Sequence, residues 1–335
     1  MEKLEFALII CTYNRKEPLL LLLDSIKKQS LYPNQIIIID GSTNDYTENS
    51  SDLHLFPLLE YFRVNSEDRG LTRQRNIGIT KVHKMTDIVC FLDDDTVLKS
   101  NYFENLIKTY LDYPNAIGVG GYILDEIKWR KDSSNQIDLD EYQYDGWVRK
   151  LGSRNKLRKK VGLLSNEAAG KMPEFSHGLS IGFLPPSNKT YPVDFFMGGV
   201  ASYKFTLFNR IKFSSYFEGY GLYEDMDFCL RASKVGQLYV NTDAGLYHYH
   251  DPSGRPNKFQ YGKMVIRNGW YVWRVKNARP NFKSKVKWHG ISLLLILIRV
   301  SNILNSSKRT EAFTESLGRI AGWISLIISK PQQKS

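Results

Sequence analysis

At 335 residues, with 42% hydrophobic and 24% charged side chains, the chain has a globular composition and room for one large or two ordinary domains. Its three cysteines, Cys11, Cys90 and Cys229, are widely separated and sit in or beside apolar runs. This argues against a disulfide frame or a metal knuckle and for reduced, buried thiols in a cytosolic protein. The net charge of +11 is unevenly placed: from Lys276 onward, eleven Lys or Arg against two Glu give +9. Such a basic tail suits an anionic membrane or nucleic acid; the latter is not expected from the rest of the sequence.

The opening apolar run, Phe6 to Cys11, is short and follows Glu2 and Glu5, so it reads as a first β-strand rather than a signal peptide. Pro18 then opens an apolar-periodic helix, PLLLLLDSIKKQS, and QIIIID is a fully apolar strand ending at an acid. A short strand is expected between Pro57 and Val64, and a helix from Gly70 through RQRNIG. DIVCFLDD is another buried strand, YFENLIKTYLDY another helix, and IGVGGYIL a strand with small residues where backbones approach closely. Apolar strands alternating with helices predict an α/β fold, a mostly parallel sheet covered on both faces. Ligands of such sheets bind beyond the carboxyl ends of the strands. There TYNR, DGSTND and DDD should converge on one crevice.

Residues 122–190 are less regular and read as an insertion shaping a substrate surface. Regularity returns with VDFFMGGVASYKF. YFEGYGLYEDMDFCLRASKVG follows as a loop entering a helix that Gly236 would cap. QLYVNTDAGLYHYH reads as strand. The predicted domains are 1–275, with a nucleotide-binding half over 1–120, and a basic helical tail over 276–335.

Five clusters carry chemistry. Asp93 and Asp95 are placed to hold a hard divalent cation together with substrate phosphates. FLDDDTVL also matches the haloacid dehalogenase-like phosphatase pattern, in which Asp93 would be the nucleophile; that motif usually lies on a first core strand, and here two strand–helix units precede it. Asp40 can accept hydrogen bonds from a base or ribose, although Asx turns look the same. Arg69, Arg73 and Arg75 cluster at a helix start, suited to a diphosphate or to a solvated face. Glu224 and Asp225 open a helix in a Gly- and Tyr-rich segment, where a carboxylate can take a proton from an attacking hydroxyl if burial or a second carboxylate restores its basicity. His248 and His250 face one side of a strand, and either could complete a metal site. Arg255 and Lys258 follow in a mobile-looking SGRPNK segment suited to closing over phosphate.

In this order, CTYNR, IIIIDGSTND, RQRNIG, FLDDD, FFMGGVASY, YEDMDFCLRASKVG and AGLYHYH resemble the family 2 glycosyltransferases, over roughly residues 5–250. The resemblance implies the GT-A fold. It also implies an inverting transfer from a nucleoside-diphosphate sugar (UDP, dTDP or GDP) to a glycan or lipid-linked glycan. On the same footing, Thr12, Asn14, Arg15 and Asp40 hold the nucleotide, with Arg73 and Arg75 as helpers and Asp94 shaping the turn or touching ribose. Asp93 and Asp95 hold Mn²⁺ or Mg²⁺ with His248 or His250, Asp225 is the base beside Glu224, and Gly198 and Gly199 lie beside the donor sugar. Gly41 stands where a second acid commonly follows the first.

The C-terminal segments KVKWHGISLLLILIRVSNIL and GRIAGWISLIISK have basic flanks, and Trp288 and Trp323 near their ends. The unbroken apolar run, Leu293 to Ile298, is too short to span a bilayer. Helices lying on an anionic inner leaflet are expected, the alternative being helices packed on the catalytic domain or on a second copy of the chain. The acceptor is then a growing lipid-linked glycan, as in bacterial surface polysaccharide assembly. A non-catalytic membrane- or RNA-binding protein on a transferase scaffold is the remaining alternative.

Overall fold

The computed structural model describes residues 4–124, 128–132, 138–249, 256–305 and 307–332. His250 and Arg255, two of the expected site residues, lie outside them. In chain order the main elements are β1 (Phe6–Thr12), α1 (Lys16–Lys27), β2 (Gln35–Asp40), β3 (Leu59–Arg63), α2 (Leu71–Thr80), β4 (Ile88–Asp93), β5 (Thr96–Leu98), α3 (Tyr102–Asp112) and β6 (Ala116–Ile123). Then come β7 (Arg130–Lys131), β8 (Glu141–Tyr144), β9 (Trp147–Lys150), α4 (Ser153–Lys160), β10 (Thr190–Val193), β11 (Val200–Lys204), α5 (Glu224–Ala232) and β12 (Gln237–His248). Three long helices close the chain: α6 (Lys258–Lys276), α7 (Phe282–Asn305) and α8 (Arg309–Ile328).

The chain divides into two compact units: residues 1–127 with 186–254, and residues 128–185 with 255–335. The second joins the irregular insertion to the helical tail and also takes in α6, a grouping different from a boundary at residue 275.

In the first unit one mixed sheet has the order β10-β12-β6-β11-β4-β1-β2-β3, with β5 paired to β12. The β4-β1-β2-β3 half is parallel, as the alternation of apolar strands and helices demands. The other half turns mixed because β11 enters antiparallel between β4 and β6. Both faces of the parallel half are covered. On one, Leu8, Ile10, Ile36, Ile38 and Cys90 pack with Leu19, Leu22 and Leu23 of α1 and Phe103 and Leu106 of α3. On the other, α2 lies so close to β1 that a Cβ at Gly78 would stand 2.7 Å from Ile9 Cγ2. Next to it, Phe91, Tyr203, Phe208, Phe213 and Phe228 form an edge-on and stacked cluster. Gly236 does not cap α5 in a left-handed conformation; Ser233 closes that helix, and Gly236 is required because a side chain there would meet Ile117 Cβ at 2.9 Å.

The second unit contains a three-stranded antiparallel sheet, β7-β9-β8, which the sequence reading left as irregular. Its hairpin turns on Asp145 and Gly146 at φ 50° and 74°, a two-residue loop between the paired Tyr144 and Trp147. α7 and α8 form an antiparallel pair: Arg299 bridges Glu315, Arg319 donates to the Leu295 carbonyl, and Trp323 donates to His289. α6 and α8 touch backbone to backbone at Gly262, Gly318 and Gly322. Trp288 is 5% exposed and stacks on Trp273. Trp288 therefore belongs to this unit's interior packing, whereas Trp323 is half-buried. What the two helices do expose are aliphatic stripes, among them Leu293, Leu297, Val300 and Leu304 on α7 and Phe313, Leu317, Ile320 and Ile324 on α8. Taken as a whole, Phe282–Leu304 is long and apolar enough to cross a membrane by length and composition, a span the six-residue apolar run alone did not suggest.

Candidate active site

The polar strand ends of the first unit do meet. Thr12, at the end of β1, donates its hydroxyl to Asp94 at 2.7 Å, and Arg15 reaches Asp94 at 3.0 Å and Asp95 at 3.5 Å. Asn14, in a left-handed conformation at φ 54°, accepts from Thr43 N and bonds the Ser42 hydroxyl through its own N–H. The loops after β1 and β2 are thus laced together. Asp40 is fully buried, with one oxygen taken by the backbone and hydroxyl of Ser42 and the other by Tyr61 at 2.7 Å. Burial and this bond to Asp40 push the Tyr61 hydroxyl far up.

Two side chains absent from the sequence expectations complete this frame. Gln74 of α2 donates to the carbonyls of Thr12 (3.2 Å) and Ile39 (2.8 Å), pinning both strand ends to the helix. Tyr61 of β3 fixes Asp40. Neither stands near its partner in sequence, so no local motif marks them.

The aspartate triplet divides its work. Asp93 is half-buried and pairs with Arg75 at 3.5 Å. Asp94 is 4% exposed; burial pushes its carboxyl up to about 7, with Arg15 and Thr12 pulling the other way. Asp95 meets His248 Nε2 at 3.0 Å because β5 pairs antiparallel with the end of β12, setting His248 opposite Thr96. One ligand atom each from Asp93, Asp95 and His248 lie within 4.8 Å of one another. Two carboxylate oxygens and an imidazole nitrogen form a sulfur-free donor set that fits Mn²⁺ or Mg²⁺. Cys11 next door is not a competitor, since burial pushes its thiol up to about 12.

Gly198 and Gly199 sit between this triplet and the acids of α5. A Cβ at Gly199 would run into the Asp93 carboxylate, and one at Gly198 would stand 2.6 Å from Glu224 Oε1 and 2.7 Å from Arg75 Nη1. Only glycine fits at either place. Asp225 accepts from Gly198 N at 3.2 Å and from Met226 N at 2.7 Å. Its carboxyl is raised, chiefly by burial, against those two N–H bonds; the charge of Asp93 adds to the rise. Burial thus offsets the helix N-terminus, as a general base there requires. Glu224 is buried against Arg75, with Oε2 lacking a hydrogen-bond partner. Burial draws Glu224 towards its protonated form, and Arg75 opposes it.

The three arginines after β3 do not act as one cluster. Arg75 is buried with Glu224 and Asp93 and lies over the rings of Phe91 and Phe213 at 5.6 and 5.3 Å. Arg73 pairs with Glu218 at the surface. The Arg69 stem runs beside Gly41, where a Cβ would meet its Cγ at 3.4 Å.

The sequence profile of the Glycosyl transferase family 2 matches residues 7–175, half of the chain, and the protein belongs to that family. It is 26% identical over 131 residues to a glucosyl-dolichyl phosphate glucuronosyltransferase of Haloferax volcanii, covering 38% of this chain and 41% of that one. It is 32% identical over 111 residues to the O-antigen chain rhamnosyltransferase RfbN of Salmonella typhimurium, covering 32% and 34%. The chain thus spans well under half the length of these relatives. Among solved structures, GalNAc-T7 with UDP, GalNAc and Mn²⁺ superposes with a TM-score of 0.52 at 14% identity, covering 91% of this chain and 58% of that one. That likeness establishes the GT-A fold. The family sets aside the phosphatase reading of Asp93.

Proposed function

We propose that the protein is an inverting, divalent-metal-dependent glycosyltransferase that moves a sugar from a UDP-, dTDP- or GDP-sugar to a hydroxyl of a glycan or lipid-linked glycan. The observation that carries this reading is the convergence of Asp93, Asp95 and His248, with Asp225 on the other side of a bare glycine pair. Asp93, Asp95 and His248 would hold the ion. When bound, Mn²⁺ or Mg²⁺ would neutralise charge growing on the departing diphosphate.

Asp225 accepts the proton of the acceptor hydroxyl as its oxygen bonds the anomeric carbon. The bond from that carbon to the phosphate oxygen breaks on the opposite side, which inverts the configuration. Gly198 and Gly199 leave room for donor sugar and acceptor between the two acid groups. Thr12, Asn14 and Arg15 line the nucleotide side, and Arg15 also tempers the charge of Asp94 and Asp95. Asp40, saturated by Ser42 and Tyr61, supports the pocket floor. Arg73 and Arg75 enter through Glu218 and Glu224 rather than through free guanidinium groups. Arg255 remains a phosphate contact by sequence alone.

The names of the two curated relatives, one acting on a dolichyl-phosphate-linked sugar and one on O-antigen chains, support a lipid-linked surface polysaccharide as acceptor. The aliphatic stripes of α7 and α8, in a strongly basic unit, support attachment to the anionic inner face of the cell membrane. The test is release of nucleoside diphosphate from a panel of nucleotide sugars, with and without EDTA. Transfer that survives complete chelation, or formation of inorganic phosphate alone, overturns the reading.

A further inference from the structure

The second unit contains a cationic cluster that no acid among the described residues pairs with. Arg154 and Arg158 stand four residues apart on α4 and so share one side of that helix. Arg154 is exposed, whereas Arg158 is only 6% exposed. Arg158 Nε has no hydrogen-bond partner, and Nη1 has only a long 3.4 Å contact to Asn155 Oδ1. Among the described residues no carboxylate lies within ion-pair distance of Arg158. His177 adjoins the pair, with Nε2 3.0 Å from the Gly269 carbonyl. Burial, then Arg158 and Arg154, push His177 down to about 4, and burial with Arg154 pulls Arg158 down to about 10. Burial is the larger cause in both cases, with the neighbouring arginine charge acting in the same direction.

A guanidinium offers five donors in a fixed fork and cannot shed its charge at neutral pH. Buried without a counter-ion, it destabilises the fold. Every buried acid discussed in the first unit is met by a cation or by N–H and O–H donors; this cation has only the long contact to Asn155 Oδ1. We propose that Arg158 and Arg154 form a binding site for a phosphate-class oxyanion, with Arg158 at its base and the exposed Arg154 at its mouth. The fork geometry of arginine matches two phosphate oxygens at once. The oxyanion has two sources: a free diphosphate, or the phosphate that joins an acceptor glycan to its lipid. The second identification rests on the transfer reading; the anion site does not.

The test uses the full chain in EDTA, which removes metal-dependent binding in the first unit. Inorganic pyrophosphate is titrated against sodium chloride of equal ionic strength, and the melting temperature is read. Wild type should gain several degrees by mass action. Arg158→Met should melt no lower than wild type without anion and should lose the pyrophosphate-dependent gain. Arg154→Gln, a surface change that leaves the fold intact, should lose at least half of it. A farnesyl diphosphate arm separates the sources: affinity at least tenfold above pyrophosphate assigns the lipid-borne group, and equal affinity assigns the free one. An equal gain in wild type and Arg158→Met overturns the proposal, as does no gain over chloride in wild type. Should Arg158→Met fail to fold, an undiminished gain in Arg154→Gln overturns it.

Discussion

The two units differ first in charge. The unit with the aspartate triplet holds 19 Lys and Arg against 26 Asp and Glu, a net of −7, and the helical unit holds 27 against nine, a net of +18. The overall +11 hides this opposition, and so does a reading that places the excess in the tail alone. Residues 276–335 supply +9 of the +18; the insertion and the segment through α6 supply the remainder. They differ also in how buried charge is handled. In the acidic unit Asp94 is met by Arg15 and Thr12, Glu224 by Arg75 and Asp227 by Arg231. In the basic unit Arg158 has no counter-ion among the described residues. The comparison teaches that the two units are of opposite charge, which fits the cation site proposed for one and the anion site and anionic surface proposed for the other.

The strongest way to break the proposed division of labour is to remove the proposed base. Asp225→Asn should lower transfer by about 10²- to 10⁴-fold, read as nucleoside diphosphate release, with melting close to wild type. Retained function in that variant would favour the non-catalytic scaffold. Gly199→Ala probes the same side from the backbone. The added methyl must displace Asp93, costing about 1–3 kcal/mol of stability and about tenfold or more in Mn²⁺ affinity by calorimetry.

The basic unit should answer to acid instead. His177 is held near 4 in the fold against an ordinary value of 6.5, so the unfolded chain takes up its proton first as pH falls. Its contribution is intact above pH 6.5 and is lost between 6.5 and 4, by about 3 kcal/mol at most given its partial exposure. Urea unfolding at pH 7 and pH 4.5 should show the loss in wild type and much less of it in His177→Gln. The smallest effect sharpens the surface assignment. Leu297 is 64% exposed, so Leu297→Glu should leave stability within about 0.5 kcal/mol. Binding to phosphatidylglycerol vesicles in a flotation assay should fall about tenfold. Unchanged flotation with a loss of dimer in sedimentation would assign the stripe to a second copy of the chain.

Much of the first unit was legible because its strands are fully apolar, its helices periodic, and its acids placed directly at strand ends. FLDDD, YEDMDF and YHYH each carry their chemistry in neighbouring residues. What escaped depends on distance. Gln74 meets Thr12 across 62 positions and Tyr61 meets Asp40 across 21. The burial of Arg75 and of Trp288 required tertiary packing to decide. The β7-β9-β8 sheet was missed because its strands are two to four residues long, although Asp145-Gly146 between alternating aromatic residues is a hairpin signal. Arg158 lies in the basic sequence RNKLRKK, and only its burial separates it from Lys159 and Lys160.

Gly198 and Gly199 leave nothing thicker than naked polypeptide between Asp93, the proposed ion ligand, and Asp225, the proposed proton acceptor. Any rotation of that peptide would carry the Gly198 N–H away from Asp225 while letting Asp93 relax into the vacated space. In the proposed mechanism the two halves of the reaction would therefore be mechanically coupled. A substitution at Met197, which need touch neither sugar nor metal, should slow turnover and loosen ion binding in the same proportion.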